Sequence, residues 1–208
     1  MADEIRQYIV TPIETNCYAY ISDGSCIVVD PGGSGAKIAA DLGSLDVVAI
    51  VCTHGHFDHV GGVAALKEAT GAEFLINAAD VELACHSKAS VFPGVACDDD
   101  APQPDRLLSE GDTIEVGTAV FTVIETPGHT PGGICLLGSG TAEGILFTGD
   151  TLFAGSRGRT DLAGGDEDAI MDSLERLKRE IPSETAVLCG HGPSSTMGRE
   201  IRSNPFLR

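Results

Sequence analysis

Short apolar runs punctuated by turn residues dominate the chain and set the elements it predicts. Residues 5–10, 17–21 and 26–29 read as strands, with Ser22-Asp23-Gly24 as a hairpin turn between the last two. Residues 36–42 place apolar side chains at helical spacing and stop at Gly43; after them 47–52 is the continuous apolar run of a buried strand. A second helical pattern covers 60–69 with Gly71 as its stop. A strand over 72–76 and a short helix over 78–86, capped by Asn77, come next. This β-α-β-α alternation predicts an α/β protein.

The pattern then lapses. Residues 87–105 are rich in Pro, Gly, Asp and Ser, and a segment of that length without its own periodicity is either a substrate-facing flap or a solvated loop with no role. Strands resume over 113–116 and 119–124, joined at Gly117, and over 134–137 and 144–147, around Gly138-Ser139-Gly140. A Gly- and Arg-rich loop spans 155–165, a helix is expected over 166–179 ahead of Pro182, and a last strand over 186–189. No linker, repeat or low-complexity tract divides 1–208, which predicts a single domain.

Charge narrows the partners. With 31 acidic and 13 basic residues the formal net charge is -18, so phosphate backbones and anionic membrane surfaces are repelled. Neither nucleic acid nor a membrane is expected as a partner. The first residues carry no basic and apolar signal segment, and no apolar run approaches membrane length, so a soluble, cytoplasmic protein is expected. The seven cysteines form no CxxC pair and mostly sit in strand-like runs, which predicts small buried thiols.

The chemistry concentrates at strand ends. The run 47–52 leads into Thr53-His54-Gly55-His56-Phe57-Asp58-His59, and the later runs lead into glycine-bearing loops that hold His129, Asp150 and His191. Imidazole and carboxylate are the ligands a divalent ion such as zinc takes, and burying them together without an ion is costly. Strand ends of a layered fold can meet on one rim, which makes His54, His56, Asp58, His59, His129, Asp150 and His191 candidate ligands. Seven exceed what one catalytic zinc uses and suit two ions sharing a carboxylate. Zinc is the first expectation; iron and manganese accept the same nitrogen and oxygen donors. Asp30 closes a neighbouring strand, either as hydrogen-bond acceptor for a ligand imidazole or as a turn cap. His86 lies outside every motif.

These residues carry a resemblance to the metallo-β-lactamase-fold hydrolase superfamily, whose HxHxDH motif is matched by His54-Gly55-His56-Phe57-Asp58-His59. Within it the chain is most similar to the glyoxalase II-like group, the hydroxyacylglutathione hydrolases, through TPGHTPGG at 126–133, FTGDTLF at 147–153, GSRGRTDL at 155–162, GHGP at 190–193 and the closing Asn204-Pro205-Phe206-Leu207. The resemblance implies an αββα sandwich of two mixed β-sheets flanked by helices. It also implies a first ion on His54, His56 and His129, a second on Asp58, His59 and His191, and Asp150 as bridge. The implied reaction is hydrolysis of a small thioester such as S-lactoylglutathione by a hydroxide held between the ions, oriented by Asp58. A thiolate leaves without a dedicated protein acid.

Two departures bear on the substrate. Only 17 residues follow His191 (208 minus 191), so the C-terminal helical domain of the long glutathione-thioester hydrolases is expected to be absent. Arg159 and Asp161 stand where those proteins have a lysine and a tyrosine. Arg157 and Arg159 are candidates for a substrate carboxylate, and a loop ion pair of Arg159 with Asp161 is the alternative. A rival function also follows from the resemblance: persulfide dioxygenases share the GRTD loop and bind one iron through a set matching His54, His129 and Asp150, a 2-His-1-carboxylate arrangement.

Overall fold

A strand buried on both sides needs apolar partners on both, and this requirement fixes the layers. The computed structural model describes residues 3–91 and 97–208. Strands β1 (Glu4–Val10), β2 (Thr15–Ser22), β3 (Ser25–Val29), β4 (Asp46–Val51), β5 (Glu73–Asn77) and β6 (Arg106–Leu108) form one sheet in that order. It is antiparallel across β1–β3 and parallel from β3 to β6. Along β2, Cys17, Ala19 and Ile21 face one core while Tyr18 and Tyr20 face another. The outer core is closed by α1 (Gly35–Leu42) and α3 (Val63–Thr70), through Ile38, Leu42, Val63 and Leu66.

The second sheet uses the same alternation. Strands β7 (Thr113–Val116), β8 (Ala119–Glu125), β9 (Ile134–Gly140) and β10 (Ile145–Gly149) are joined, past a small hairpin of β11 (Leu152–Phe153) and β12 (Ser156–Arg157), by β13 (Ala186–Cys189) and β14 (Ser195–Thr196). The order is β14-β13-β10-β9-β8-β7, with β10 and β13 parallel and the other neighbours antiparallel. Val123, Leu136 and Phe147 point at the first sheet; Ile124, Cys135 and Leu146 point away, onto Ile170, Leu174 and Leu177 of α5 (Glu167–Glu180). Between the sheets, Tyr20 meets Phe121 edge-on at 4.9 Å and Phe121 meets Phe147 at 5.5 Å. Truncating the fully buried Phe121 to alanine therefore costs about 3–5 kcal/mol. The result is helix, sheet, sheet, helix: the αββα sandwich of two mixed sheets.

Several elements differ from the sequence expectation. The helix expected over 60–69 is two helices, α2 (Phe57–Val60) and α3, parted at Gly61-Gly62. The cause is a close backbone approach: Gly62 N donates to Pro31 O at 2.7 Å, and a Cβ on Gly62 would lie only 2.7 Å from that oxygen. The helix over 78–86 begins as a 3₁₀ turn (Ala78–Asp80), capped as expected by Asn77, and continues as α4 (Val81–Cys85). Strands β6, β11, β12 and β14 were not expected, nor was α6 (Met197–Ser203), which Thr196 caps by accepting from Arg199 N.

Of the segment 87–105, residues 92–96 lie outside the described residues. The described remainder is fastened to the body. Asp100 accepts from Lys88 N at 2.7 Å, Asp98 accepts from Ser34 N at 2.7 Å, and buried Ala101 donates to Ala84 O at 3.1 Å.

Candidate metal centre

Strand direction gathers the polar loops. Because β8, β9 and β10 alternate in direction and β13 follows β10, the strands β8, β10 and β13 all end at one rim of their sheet. The end of β4 faces that rim from the other sheet. His54 and His56 follow β4, and the short α2 turns Asp58 and His59 back toward it. His129 follows β8, Asp150 follows β10 and His191 follows β13. All seven side chains predicted from the sequence are brought to this one place.

Their donor atoms fall into three overlapping groups, each with all atoms within 4.8 Å of one another: His54, His56 and His129; His54, His59 and Asp150; Asp58, His59 and His191. The Asp150 carboxylate touches both ends of the set, with Oδ1 3.3 Å from His59 Nε2 and Oδ2 3.5 Å from His129 Nε2 and 3.7 Å from His191 Nε2. Asp58 Oδ2 stands 3.1 Å from His191 Nε2 and 3.3 Å from His59 Nε2. Close packing demands a bare backbone beside them, since a Cβ on Gly190 would collide with Asp150 Oδ1 and His59 Cε1.

The donor set fits divalent ions. His54 Nε2, His59 Nε2 and Asp150 Oδ1 are buried with no hydrogen-bond partner, and orphaned buried polar atoms cost about 1–3 kcal/mol each unless something ligates them. Nitrogen and oxygen donors of this kind suit a borderline or hard cation. The far sides of the rings are held by the fold. His129 Nδ1 donates to Arg159 O at 2.7 Å, which leaves the Nε2 lone pair facing the centre, 2.9 Å from His56 Nδ1. His59 Nδ1 lies 3.0 Å from Asp30 Oδ2, an ion-pair contact without hydrogen-bond alignment. Asp30 also accepts from both Thr53 N and Thr53 Oγ1 at 2.7 Å, so it serves ring and turn together.

Two further residues carry the centre and have no sequence motif. Thr15 Oγ1 donates to Asp58 Oδ2 at 2.9 Å. Asp80, fully buried, accepts from Gly55 N at 2.8 Å and Gly132 N at 2.7 Å, and so ties the loop of His54 and His56 to the loop of His129. Burial pushes the Asp80 carboxyl above its usual range against these hydrogen bonds.

Protonation divides the centre. Burial drives the His54 imidazole well below its usual range, aided by the neighbouring rings, and burial with His129 brings His56 down to about 4. For His59 burial acts in the same direction, but Asp150, Asp58 and Asp30 outweigh it and raise its pKa. His191 is likewise raised against burial by its hydrogen bond to Asp58 and by Asp150. Burial alone would raise Asp58 and Asp150; the surrounding imidazoles, His59 foremost, hold both below the carboxylate range.

A cleft of about 520 Å³ opens over the centre. Arg157 and Arg159 stand in its wall, yet neither guanidinium waits for a substrate carboxylate. Arg157 donates from Nη2 to both Glu167 oxygens at 2.5 and 2.7 Å and from Nη1 to Gly158 O at 2.7 Å, and Arg159 is bidentate to Asp161 at 2.6 Å through Nε and Nη2, the loop ion pair. No described residue of 87–105 lines this cleft over the centre, where the wall comes from 153–163, Ile13 and Leu83, and Ala89 borders a neighbouring hollow. His86 is exposed beside Glu82, and no cysteine joins the three groups. Cys52 and Cys189 are buried and point their thiols at the carbonyls of His59 and His191. Among the described residues no helix is long and apolar enough to cross a membrane.

Comparison with known proteins adds the following. The family model of the metallo-β-lactamase superfamily matches residues 10–192. The hydroxyacylglutathione hydrolase GloC of Haemophilus influenzae is 34% identical over 207 residues, covering 95% of each chain. Among solved structures, the B3 metallo-β-lactamase BLEG-1 is 34% identical with a TM-score of 0.87, over 98% of this chain and 99% of that one. A protein crystallised in a di-iron-bound form is 36% identical with a TM-score of 0.86, over 97% and 100%. ETHE1 from Myxococcus xanthus is 27% identical with a TM-score of 0.73, over 97% and 83%.

Proposed function

The chain belongs to the metallo-β-lactamase superfamily, and from that premise we propose that it is a binuclear metal-dependent hydrolase of the glyoxalase II type that cleaves thioesters. The observation that carries this reading is the grouping of Asp58, His59 and His191 beside that of His54, His56 and His129, with Asp150 in contact with both. The similarity to GloC points to the thioester. Zinc is the proposed metal, with iron next in view of the di-iron relative.

Bound divalent ions supply Lewis acidity, making water reactive at neutral pH and drawing charge from the thioester carbonyl. The protein's own groups do the rest. Asp58 is a carboxylate at neutral pH, braced by Thr15, and it lines the cleft where it orients the attacking water. Asp150 and the imidazoles offer lone pairs fixed from behind by Arg159 O, Asp30 and Thr53. Overall, water and thioester give carboxylate, thiol and one proton: the C–S bond breaks, a C–O bond forms, and the thiolate departs without a protein acid.

The test is metal analysis of anaerobically purified protein together with hydrolysis of S-lactoylglutathione as the reference thioester. Two ions per chain and metal-dependent thiol release are expected. The similarity to ETHE1 supports a second reading, an iron persulfide dioxygenase on His54, His129 and Asp150. That reading leaves Asp58, His59 and His191 without a task, and one iron per chain with oxygen uptake on glutathione persulfide would establish it in place of the first. The similarity to BLEG-1 makes nitrocefin the third substrate to include.

A further inference from the structure

The cleft wall says which thioesters. Away from the ligand side chains, Ser156 and two arginines, it is built of Ile13, Phe57, Leu83, Phe153, Leu162 and Ala163. Many binding clefts are mostly apolar, so apolar lining alone decides little. What decides is the state of the cations. Arg157 and Arg159 are the arginines of the wall, and both already donate to carboxylates of this chain, Arg157 to Glu167 and Arg159 to Asp161. A substrate carboxylate reaching either guanidinium must evict Glu167 or Asp161, exchanging one ion pair for another with no net gain. Of the other Arg157 nitrogens, Nη1 already donates to Gly158 O at 2.7 Å and Nε is buried, so the guanidinium presents no two-pronged clamp to the cleft. A formal charge of -18 adds repulsion at longer range.

The apolar wall also continues. Leu83 and Ala163 also line a second hollow of about 570 Å³, shared with Ala79, Ala89 and Pro131 and with the exposed Glu82 and His86, with no Lys or Arg among its described lining residues. A chain leaving the cleft past these two residues meets a mostly apolar surface.

Resting on the thioesterase reading above, we propose that the preferred substrates are thioesters with a neutral, hydrocarbon-rich body, such as medium-length aliphatic acyl groups on an uncharged thiol, in preference to thioesters of the doubly carboxylated glutathione. Each methylene buried against this wall contributes about fourfold in affinity or kcat/KM.

The metal-loaded full chain is assayed with acetyl, butyryl, hexanoyl and octanoyl thioesters of N-acetylcysteamine and with the hexanoyl thioester of glutathione. Binding of the non-hydrolysable S-butyl, S-hexyl and S-octyl thioethers of N-acetylcysteamine, and of S-hexylglutathione, is measured by calorimetry. The expected result is a rise of about fourfold per methylene to the length the wall covers, with the neutral hexyl compound at least about tenfold ahead of its glutathione counterpart in both assays. In Leu83→Ser and Leu162→Ser the chain-length slope flattens while metal content stays at the wild-type level. A flat slope in the wild type, or a preference for the glutathione compounds, overturns the proposal. Absence of turnover on every thioester, with thioether binding as expected, overturns the hydrolase reading and leaves the wall's preference standing.

Discussion

The two ends of the centre are built on opposite electrostatics. The end made of His54, His56 and His129 contains no carboxylate of its own, and burial strips protons from His54 and His56, the latter down to about 4. At the other end His59 and His191 sit against Asp58 and Asp150, with Asp30 behind His59, and both rings hold protons to higher pH than usual. A proton and a divalent ion compete for the same lone pair. His54 and His56 thus offer their lone pairs to a cation readily, whereas at the second end a cation must compete with protons held to higher pH. The carboxylates at that end offset the competition with charge.

The largest expected effect comes from removing the metal. Chelation lowers thioester hydrolysis by more than about 10³-fold with the far-ultraviolet circular dichroism retained. On reconstitution at pH 7 in weak buffer, the first equivalent binds with little proton release and the second releases protons. Equal release at both steps would erase the contrast between the two ends.

Next is Asp58→Ala, expected to lower kcat/KM by about 10²–10³-fold. It also removes the hydrogen bond that raises His191, so in the metal-free variant the His191 ring titrates at lower pH than in the wild type, a shift that proton NMR reads directly. An unmoved His191 would show that Asp58 is not what sets the second end apart.

A smaller effect is expected from pH alone. As pH falls from 7 toward 5, the raised pKa values of His59 and His191 let protons displace the ion there, while His56, at about 4, stays neutral. Metal content after desalting at successive pH steps should pass through a plateau of one ion per chain. Loss of both together would count against unequal ends.

Smallest is Asp80→Asn, which leaves one of the Gly55 and Gly132 N–H groups facing an amide nitrogen. Affinity at the first end should fall about tenfold and stability by about 1–3 kcal/mol, with the second end unaffected in competition titrations.

Much of this was legible in the chain because the ligands follow apolar runs that end in glycine-bearing loops, a local signal at 54–59, 129, 150 and 191. The layers were legible too, through turn residues such as Ser22-Asp23-Gly24 and the stops at Gly43 and Gly71. What escaped was of two kinds. Elements of two or three residues, such as β6, β11, β12 and β14, are too short to show a period. Thr15 and Asp80 act across 43 and 52 residues of sequence, and a lone threonine or aspartate carries no local mark of a partner that distant. The fate of the arginines fell between these: Arg159 finds Asp161 two positions away, whereas Arg157, in β12, reaches Glu167 ten positions on, at the start of α5.

The division of labour between the sheets has a final consequence. One contiguous stretch, residues 4–108, builds the first sheet and carries His54, His56, Asp58 and His59; another, residues 113–196, builds the second and carries His129, Asp150 and His191. Neither stretch owns a complete donor set. The centre is a seam, closed only when both halves of the polypeptide have docked face to face, so full ion uptake during refolding is a late event that certifies the finished sandwich.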